Sequence, residues 1–181
     1  VEAFKKSLVK FNPGLVWGSD IDYLAPALNV VDRIIELPKD INSYVYLDAM
    51  IKFLNEQNIK LIIPTIDPDL ERFNKWRSLI EKEAPETILL LSPESAVNLA
   101  SHKILSRDMF RKLGANVPTP VLSPSQNQFP LFIKPAKGSA SIGAKVVHNL
   151  SELHQSIASL DEPVVEKIVS GDEITVDVLL T

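Results

Sequence analysis

Short, unbroken apolar runs alternate with amphipathic helical segments through the N-terminal half, and this alternation constrains the fold more than any other feature of the chain. Residues 60–63 and 87–91 are strand-length apolar runs, the first closed by Pro64. Residues 31–37, ended by Pro38, and 14–17, followed by the polar turn Gly18-Ser19-Asp20, read as two more strands. Within 43–58, Leu47, Met50, Ile51 and Leu54 recur at i, i+3, i+4 and i+7, the pattern of a helix with one buried face. Asp67-Pro68 reads as an N-cap followed by a first-turn proline, opening a helix to about Lys82. Residues 2–10 read as a further short helix. Strands that are apolar along their whole length, separated by helices, predict a Rossmann-like parallel sheet covered on both faces. No GxGxxG is present, which argues against a dinucleotide site in this layer.

The pattern changes after residue 92. Ser92-Pro93 opens a helical stretch, and a second helix over 101–113 carries Leu105, Met109 and Leu113 on one stripe before Gly114 ends it. Val117-Pro118-Thr119-Pro120 must run extended, because each proline disfavours helix in its predecessor. A strand over 130–134, a Gly/Ser/Ala loop over 135–143 and a strand over 144–148 follow. Residues 149–160 form a helix with Leu150, Leu153, Ile157 and Leu160 inward and a capping box from Asn149 and Glu152. Two strands, 164–169 and 173–180, are split by Ser170-Gly171-Asp172. This half reads as α+β. The expected organisation is an α/β domain over 1–92, a helical connector over 93–120 and a hairpin-rich domain over 121–181.

Composition removes several classes of function. Cysteine is absent, which excludes disulfides, thiolate catalysis and Cys-ligated metals. The net charge of −4 argues against a broadly basic nucleic-acid surface. No apolar run reaches the roughly 18 residues of a membrane helix, and no secretory signal opens the chain. The expectation is a cytoplasmic protein with no membrane or nucleic-acid partner. The chain opens on Val1 and closes on Thr181 inside a strand-like run, which reads as a fragment at both ends.

The residues with chemical potential lie in the second half. Lys134 ends an apolar strand and is followed by Gly138, Ser139, Ser141 and Gly143. Small residues let successive backbone N–H groups approach an anion, and a lysine on a rigid strand adds a fixed positive charge. The loop is not a Walker A loop, since GxxxxGK[ST] is absent and a strand follows instead of a helix. By itself it reads either as a phosphate-binding loop or as a glycine-rich hairpin tip with an incidental lysine. Glu166 and Glu173 stand seven residues apart across a glycine turn, which alone fits an ordinary hairpin with solvated carboxylates. Lys103 heads a helix whose exit reads Gly-x-x-x-Pro-x-Pro, and alone is a surface lysine. Asp20, Asp22 and Asp67 follow strands, where open α/β sheets bind ligands, although an N-cap accounts for Asp67 equally well. His148 and His154 have no metal-ligand spacing.

Taken in order, these three motifs resemble the ATP-grasp superfamily. The matching features are the lysine-headed helix, the strand-Lys-Pro hairpin with Gly143 nine residues after Lys134, and E-K-x-x-x-G-x-E with Glu173 seven after Glu166. The resemblance is closest to carbamoyl-phosphate synthase large-chain-like proteins, and D-alanine–D-alanine ligases share the hairpin. It covers nearly the whole chain, residues 1–92 being similar to the α/β domain that precedes the ATP-grasp region. The resemblance implies an ATP-dependent carboxylate–amine (or thiol) ligase acting through an acylphosphate. Lys103 and Lys134 would contact the phosphates, Lys134 as a catalytic group, and the 138–143 backbone would close as a lid. Glu166 would accept from the adenine amino group, the backbone of Lys167 and Val169 would meet the adenine edge, and Glu173 would hold the ribose. Ile133 and Ile168 would either wall the adenine or be plain core.

The implied cofactors are ATP and Mg2+ or Mn2+, with metal ligands beyond residue 181. The implied partners are a small-molecule carboxylate, an amine or thiol acceptor, and a homodimer or partner chain completing the site. Alone, these 181 residues would be inactive. A nucleotide-binding regulatory module, a split-chain subunit and a small-molecule kinase on the same fold are the alternatives. Three residues depart from or extend the pattern. His102 stands where relatives often carry an acid and reads as an exposed or capping histidine. The lid carries Lys137 and no arginine. Asp177 either orients Lys134 or a metal-bound water, or is a satisfied structural carboxylate.

Overall fold

The computed structural model describes residues 1–11 and 14–176. The chain divides into two compact units, Val1–Ile63 with Trp76–Leu90, and Pro64–Lys75 with Leu91–Thr181. None of the described helices is long and apolar enough to cross a membrane.

The first unit contains α1 (Glu2–Phe11), β1 (Trp17–Gly18), β2 (Arg33–Ile34), α2 (Tyr44–Glu56), β3 (Leu61–Ile62), the later turns of α3 (Asp67–Glu83) and β4 (Ile88–Leu89). Both strand pairs are parallel, as continuous apolar runs require: Trp17 lies opposite Arg33, and Leu61 opposite Ile88. They form two separate ladders of two residues per strand rather than one sheet. Such short ladders hold little by themselves, so side-chain burial carries this unit. Ser43 caps α2 by accepting from the Tyr46 N–H at 3.2 Å. The helix then turns Leu47, Met50 and Leu54 inward, and α3 contributes Trp76 and Ile80. Each fully buried side chain of this size is worth about 1.5–3 kcal/mol. The Tyr46 and Trp76 rings stack at 6.1 Å, and Trp17 meets Phe53 edge-on at 5.1 Å. Among the described residues the strands are not covered on both faces: Ile88 and Leu90 stay 66% and 55% exposed.

The second unit contains the first turns of α3, α4 (Glu94–Ala100), α5 (Lys103–Lys112), β5 (Leu131–Pro135), β6 (Lys145–Val147), α6 (Leu150–Ser159) and β7 (Pro163–Lys167). The three strands form an antiparallel sheet in the order β6-β5-β7. The proline-stiffened connector runs along the free edge of β7. The Val121 N–H donates to Val165 O at 2.9 Å, and the Lys167 N–H to Thr119 O at 3.0 Å. Strand period two sorts the sheet faces. Leu131, Ile133 and Val147 join Val121 and Leu153 in the core, with Val165 packed against them. Phe132 and Lys134 therefore point the other way, with Phe132 in register with Glu166 and Lys134 with Val164.

Local details correct the sequence reading at several places. Asn149 caps α6 by accepting from the Glu152 N–H at 3.0 Å, but the Glu152 carboxylate reaches back to the His148 N–H at 2.8 Å instead of closing the box on Asn149. Ser156 is fully buried in α6 alongside Leu153, while Ile157 is 39% exposed. Helix α3 begins at Asp67, one residue earlier than the cap reading, because the Ile66 carbonyl already accepts from the Asp69 and Leu70 N–H groups. The strand expected over 173–180 is absent through residue 176, where Ile174 and Val176 are exposed and no ladder partner is found among the described residues. Its remainder, with Asp177, lies outside the described residues.

Candidate functional site

Strand β5 delivers Lys134 to the sheet face opposite the core. Diagonally across the β5–β7 ladder stands Glu166, and the Lys134 ammonium lies 2.7 Å from its Oε2. Glu166 is only 3% exposed. A carboxylate that deep needs compensating cations. A second one comes from α5: an Arg107 terminal nitrogen lies 3.7 Å from Glu166 Oε1. The same guanidinium donates to Asp108 Oδ1 through Nε and a terminal nitrogen, both at 3.1 Å. Lys134 also sits 5.7 Å from the centre of the Phe132 ring on the same strand face.

The hairpin loop after β5 bends back over this face. Backbone φ is positive at Gly138, Ala140, Ser141 and Gly143, at 106°, 53°, 56° and 75°. Two consecutive non-glycine residues in the left-handed region are strained, and such strain collects where a loop must hold a special shape. The Ile142 and Ala144 N–H groups close turns on the Ser139 and Ser141 carbonyls at 3.2 and 3.1 Å. An anion cradle in this loop would therefore draw on the stretch 138–141. Gly143 has a packing reason as well, since a Cβ there would meet Leu160 Cδ2 at 2.7 Å.

Helix α5 starts against the foot of this loop. The Lys103 N–H donates to Ala136 O at 2.8 Å, and the Lys103 ammonium donates to Gly138 O at 2.7 Å. Partial burial, and the charge of Lys134 beside it, push the Lys103 ammonium below the ordinary lysine range, with the Asp67 carboxylate acting in the opposite direction. Lys103, Lys134, Phe132 and the loop 138–142 enclose a cavity of about 250 Å³. Two ammonium groups and a left-handed loop thus face one cavity, the kind of arrangement whose charge and backbone geometry complement an anion.

His102 is neither exposed nor a side-chain cap. It occupies the cap position of α5 without a capping bond, and its Nε2 lies 3.2 Å from each carboxylate oxygen of Glu162.

The remaining sequence candidates are dispersed. The Lys167 N–H is already used by Thr119 O, so a backbone contact to a ligand there falls to its carbonyl. Val169 and Glu173 are exposed and outside any strand. Ile133 is core, fully buried on the face away from Lys134, and Ile168 is 42% exposed. Asp20 and Asp22 shape a local turn, accepting from the N–H groups of Asp22 and Leu24 at 2.9 Å each. Lys137 is exposed. The sequence reading missed Arg107 and Phe132. Alternation along 131–134 could have placed Phe132 on the lysine face. Arg107 gave no signal, because an arginine on an amphipathic helix reads as a solvated residue.

Comparisons with known proteins bear on this arrangement. Residues 1–88 match the family described as PylC-like, N-terminal domain, and residues 93–181 match D-ala D-ala ligase C-terminus. Together the two matches span nearly the whole chain and support an ATP-grasp family for it. Carbamoyl-phosphate synthase of Methanobrevibacter smithii is 25% identical over 163 residues, which cover 84% of this chain and 42% of that protein. D-alanine–D-alanine ligase of Chlorobium chlorochromatii is 49% identical over 59 residues, covering 30% of this chain and 16% of that one. The crystal structure of L-amino acid ligase from Bacillus licheniformis superposes with a TM-score of 0.62 at 18% identity, over 86% of this chain and 38% of that chain. The chain thus spans less than half the length of these relatives.

Proposed function

We propose that this chain is the nucleotide-binding part of an ATP-dependent carboxylate–amine (or thiol) ligase. The observation that carries the reading is the convergence of Lys103, Lys134 and the loop 138–142 on one cavity. Phosphoryl transfer needs positioning and charge stabilisation more than covalent help, and two ammonium groups with backbone donors supply these. In the proposed reaction a substrate carboxylate oxygen attacks the γ-phosphorus of ATP. The bond to the bridging oxygen breaks and ADP leaves. An amine or thiol then adds to the acylphosphate carbon, loses its proton, and expels inorganic phosphate.

Each site residue has a proposed role. Lys103 and Lys134 hold the phosphates, and the backbone of Gly138, Ser139, Ser141 and Gly143 forms the lid. Glu166 serves first as the buried counter-ion that orients Lys134, and faces the adenine amino group as a second acceptor. The Lys167 carbonyl and the Val169 backbone meet the adenine edge, and Glu173 holds the ribose. In this reading residues 1–92 are the preceding α/β domain, 93–120 the helical connector, and 121–181 the lid subdomain with the start of the next. A divalent cation would neutralise the transferring phosphate in such a ligase. Among the described residues no three His, Asp or Glu side chains gather at one point to hold it.

The test uses the intact protein. Mg-ATP is incubated with a panel of small carboxylates and amines, and ADP and phosphate release are followed. Lys134→Ala is expected to lower turnover at least about 100-fold, the size of a lost electrostatic contact in a transition state, with an unchanged circular dichroism spectrum. Normal ATP consumption by that variant would overturn the assignment of Lys134.

A further inference from the structure

The ion pair between Lys134 and Glu166 raises a problem for any nucleotide that recruits Lys134. At 2.7 Å the ammonium is already compensated by a carboxylate that is only 3% exposed. Drawing the ammonium toward phosphate would leave Glu166 buried and unpaired, which is strongly unfavourable unless another cation stays with it. Arg107 is that cation. It is 13% exposed, reaches the other carboxylate oxygen at 3.7 Å, and is itself held in place by Asp108. Arg111, one turn on, approaches the same Asp108 oxygen at 3.6 Å. Charges therefore alternate from the outer surface of α5 to the cavity: Arg111, Asp108, Arg107, Glu166, Lys134.

We infer that Arg107 is a positioning residue for nucleotide binding, acting through Glu166 to release the Lys134 ammonium to the phosphates. The inference rests on the nucleotide-binding reading of the site. With Arg107 present, Glu166 divides its charge between two cations, and Lys134 can exchange its carboxylate for phosphate without stranding a buried anion. Without Arg107, Lys134 is the counter-ion that remains within reach of Glu166, and phosphate must compete with it directly. Arg107 borders a cavity of about 340 Å³ walled by Ile104, Val121, Val164 and neighbours. Met, unbranched and adaptable, is the mildest apolar replacement against those walls.

The experiment is a double-mutant cycle read by calorimetric titration of the intact protein with Mg-ATP. Arg107→Met is expected to weaken binding about tenfold, within the range measured for coupled neighbouring charges. In a Glu166→Gln background the same change is expected to alter affinity by less than about twofold, because the carboxylate through which Arg107 acts is gone. A residue with only a structural role would lower thermal stability in both backgrounds and leave affinity unchanged in both. Arg107→Lys keeps a cation near Glu166 and is expected to recover most of the affinity; it also stands in if Arg107→Met does not fold, with a wild-type-like melting temperature and binding expected. Wild-type affinity in Arg107→Met, or an equal loss in the Glu166→Gln background, would overturn the inference alone. Failure of the wild-type protein to bind Mg-ATP would overturn the nucleotide reading and the inference with it.

Discussion

Lys103 stands beside another ammonium and is partly removed from water, and both press it toward the neutral form. A lysine whose folded pKa lies below its unfolded value binds fewer protons folded than unfolded. Charging it therefore costs stability at neutral pH. That cost disappears as pH rises through the interval between the lowered value and the ordinary 10.5. Nucleotide affinity is expected to move oppositely, falling across the same interval as Lys103 loses its charge. Lys103→Arg should carry the fall to higher pH, as read by titration with Mg-ATP at a series of alkaline pH values. Gly143 offers a second residue-scale prediction. Its φ is 75°, and a methyl group added there would meet Leu160 at 2.7 Å. Gly143→Ala is expected to lower unfolding free energy by about 2–4 kcal/mol in denaturant titration, combining left-handed strain with overpacking.

Helix α6 shows how far local chemistry reaches at the scale of one element. Its N-terminus is held by the Asn149 side chain, whose Oδ1 takes the Glu152 N–H, while Glu152 returns to His148 and to the Asn149 amide. Asn149→Ala is expected to cost about 1 kcal/mol in chemical denaturation. Glu152→Ala should lose less, since the Asn149 bond survives it. Helix α5 teaches the opposite lesson. Leu105, Met109 and Leu113 share one apolar stripe, yet Leu105 and Leu113 are 48% and 73% exposed. The side turned inward carries Ile104 and Arg107, bordering the same cavity. Arg107 takes an inward position because Glu166 waits there across the fold, and a buried carboxylate draws a guanidinium more strongly than the rim draws a leucine.

At the scale of the whole molecule, a ligand that binds only the folded protein raises its stability by mass action. Mg-ATP at one hundred times its dissociation constant is expected to add about 2.7 kcal/mol to the unit that binds it. A thermal melt of the intact protein should therefore shift upward by several degrees with Mg-ATP. The shift should be lost in Lys134→Ala. No shift in the wild-type protein at millimolar Mg-ATP would count against a nucleotide site.

Much of this chain is local and was readable as such. Asn149 and Gly114 mark helix ends because caps and left-handed exits depend on a few neighbouring atoms. The parallel pairing of 61–62 with 88–89 follows from apolar runs separated by helices. The lysine, the glycine loop and the E-K-x-x-x-G-x-E run were visible as a spacing pattern, since a hairpin keeps its residues close in sequence. What the sequence could not carry are relations between residues far apart in the chain. That Ile133 faces the core and Lys134 the cavity was decided by which side α6 covers. That Glu166 is buried was decided by β5 on one edge of β7 and the 119–121 connector on the other. That Arg107 meets it was decided by the docking of α5 at Ala136 and Gly138. Pairing a buried charge is a requirement of the folded interior, so its partner is chosen by tertiary position and leaves no periodic trace along the chain.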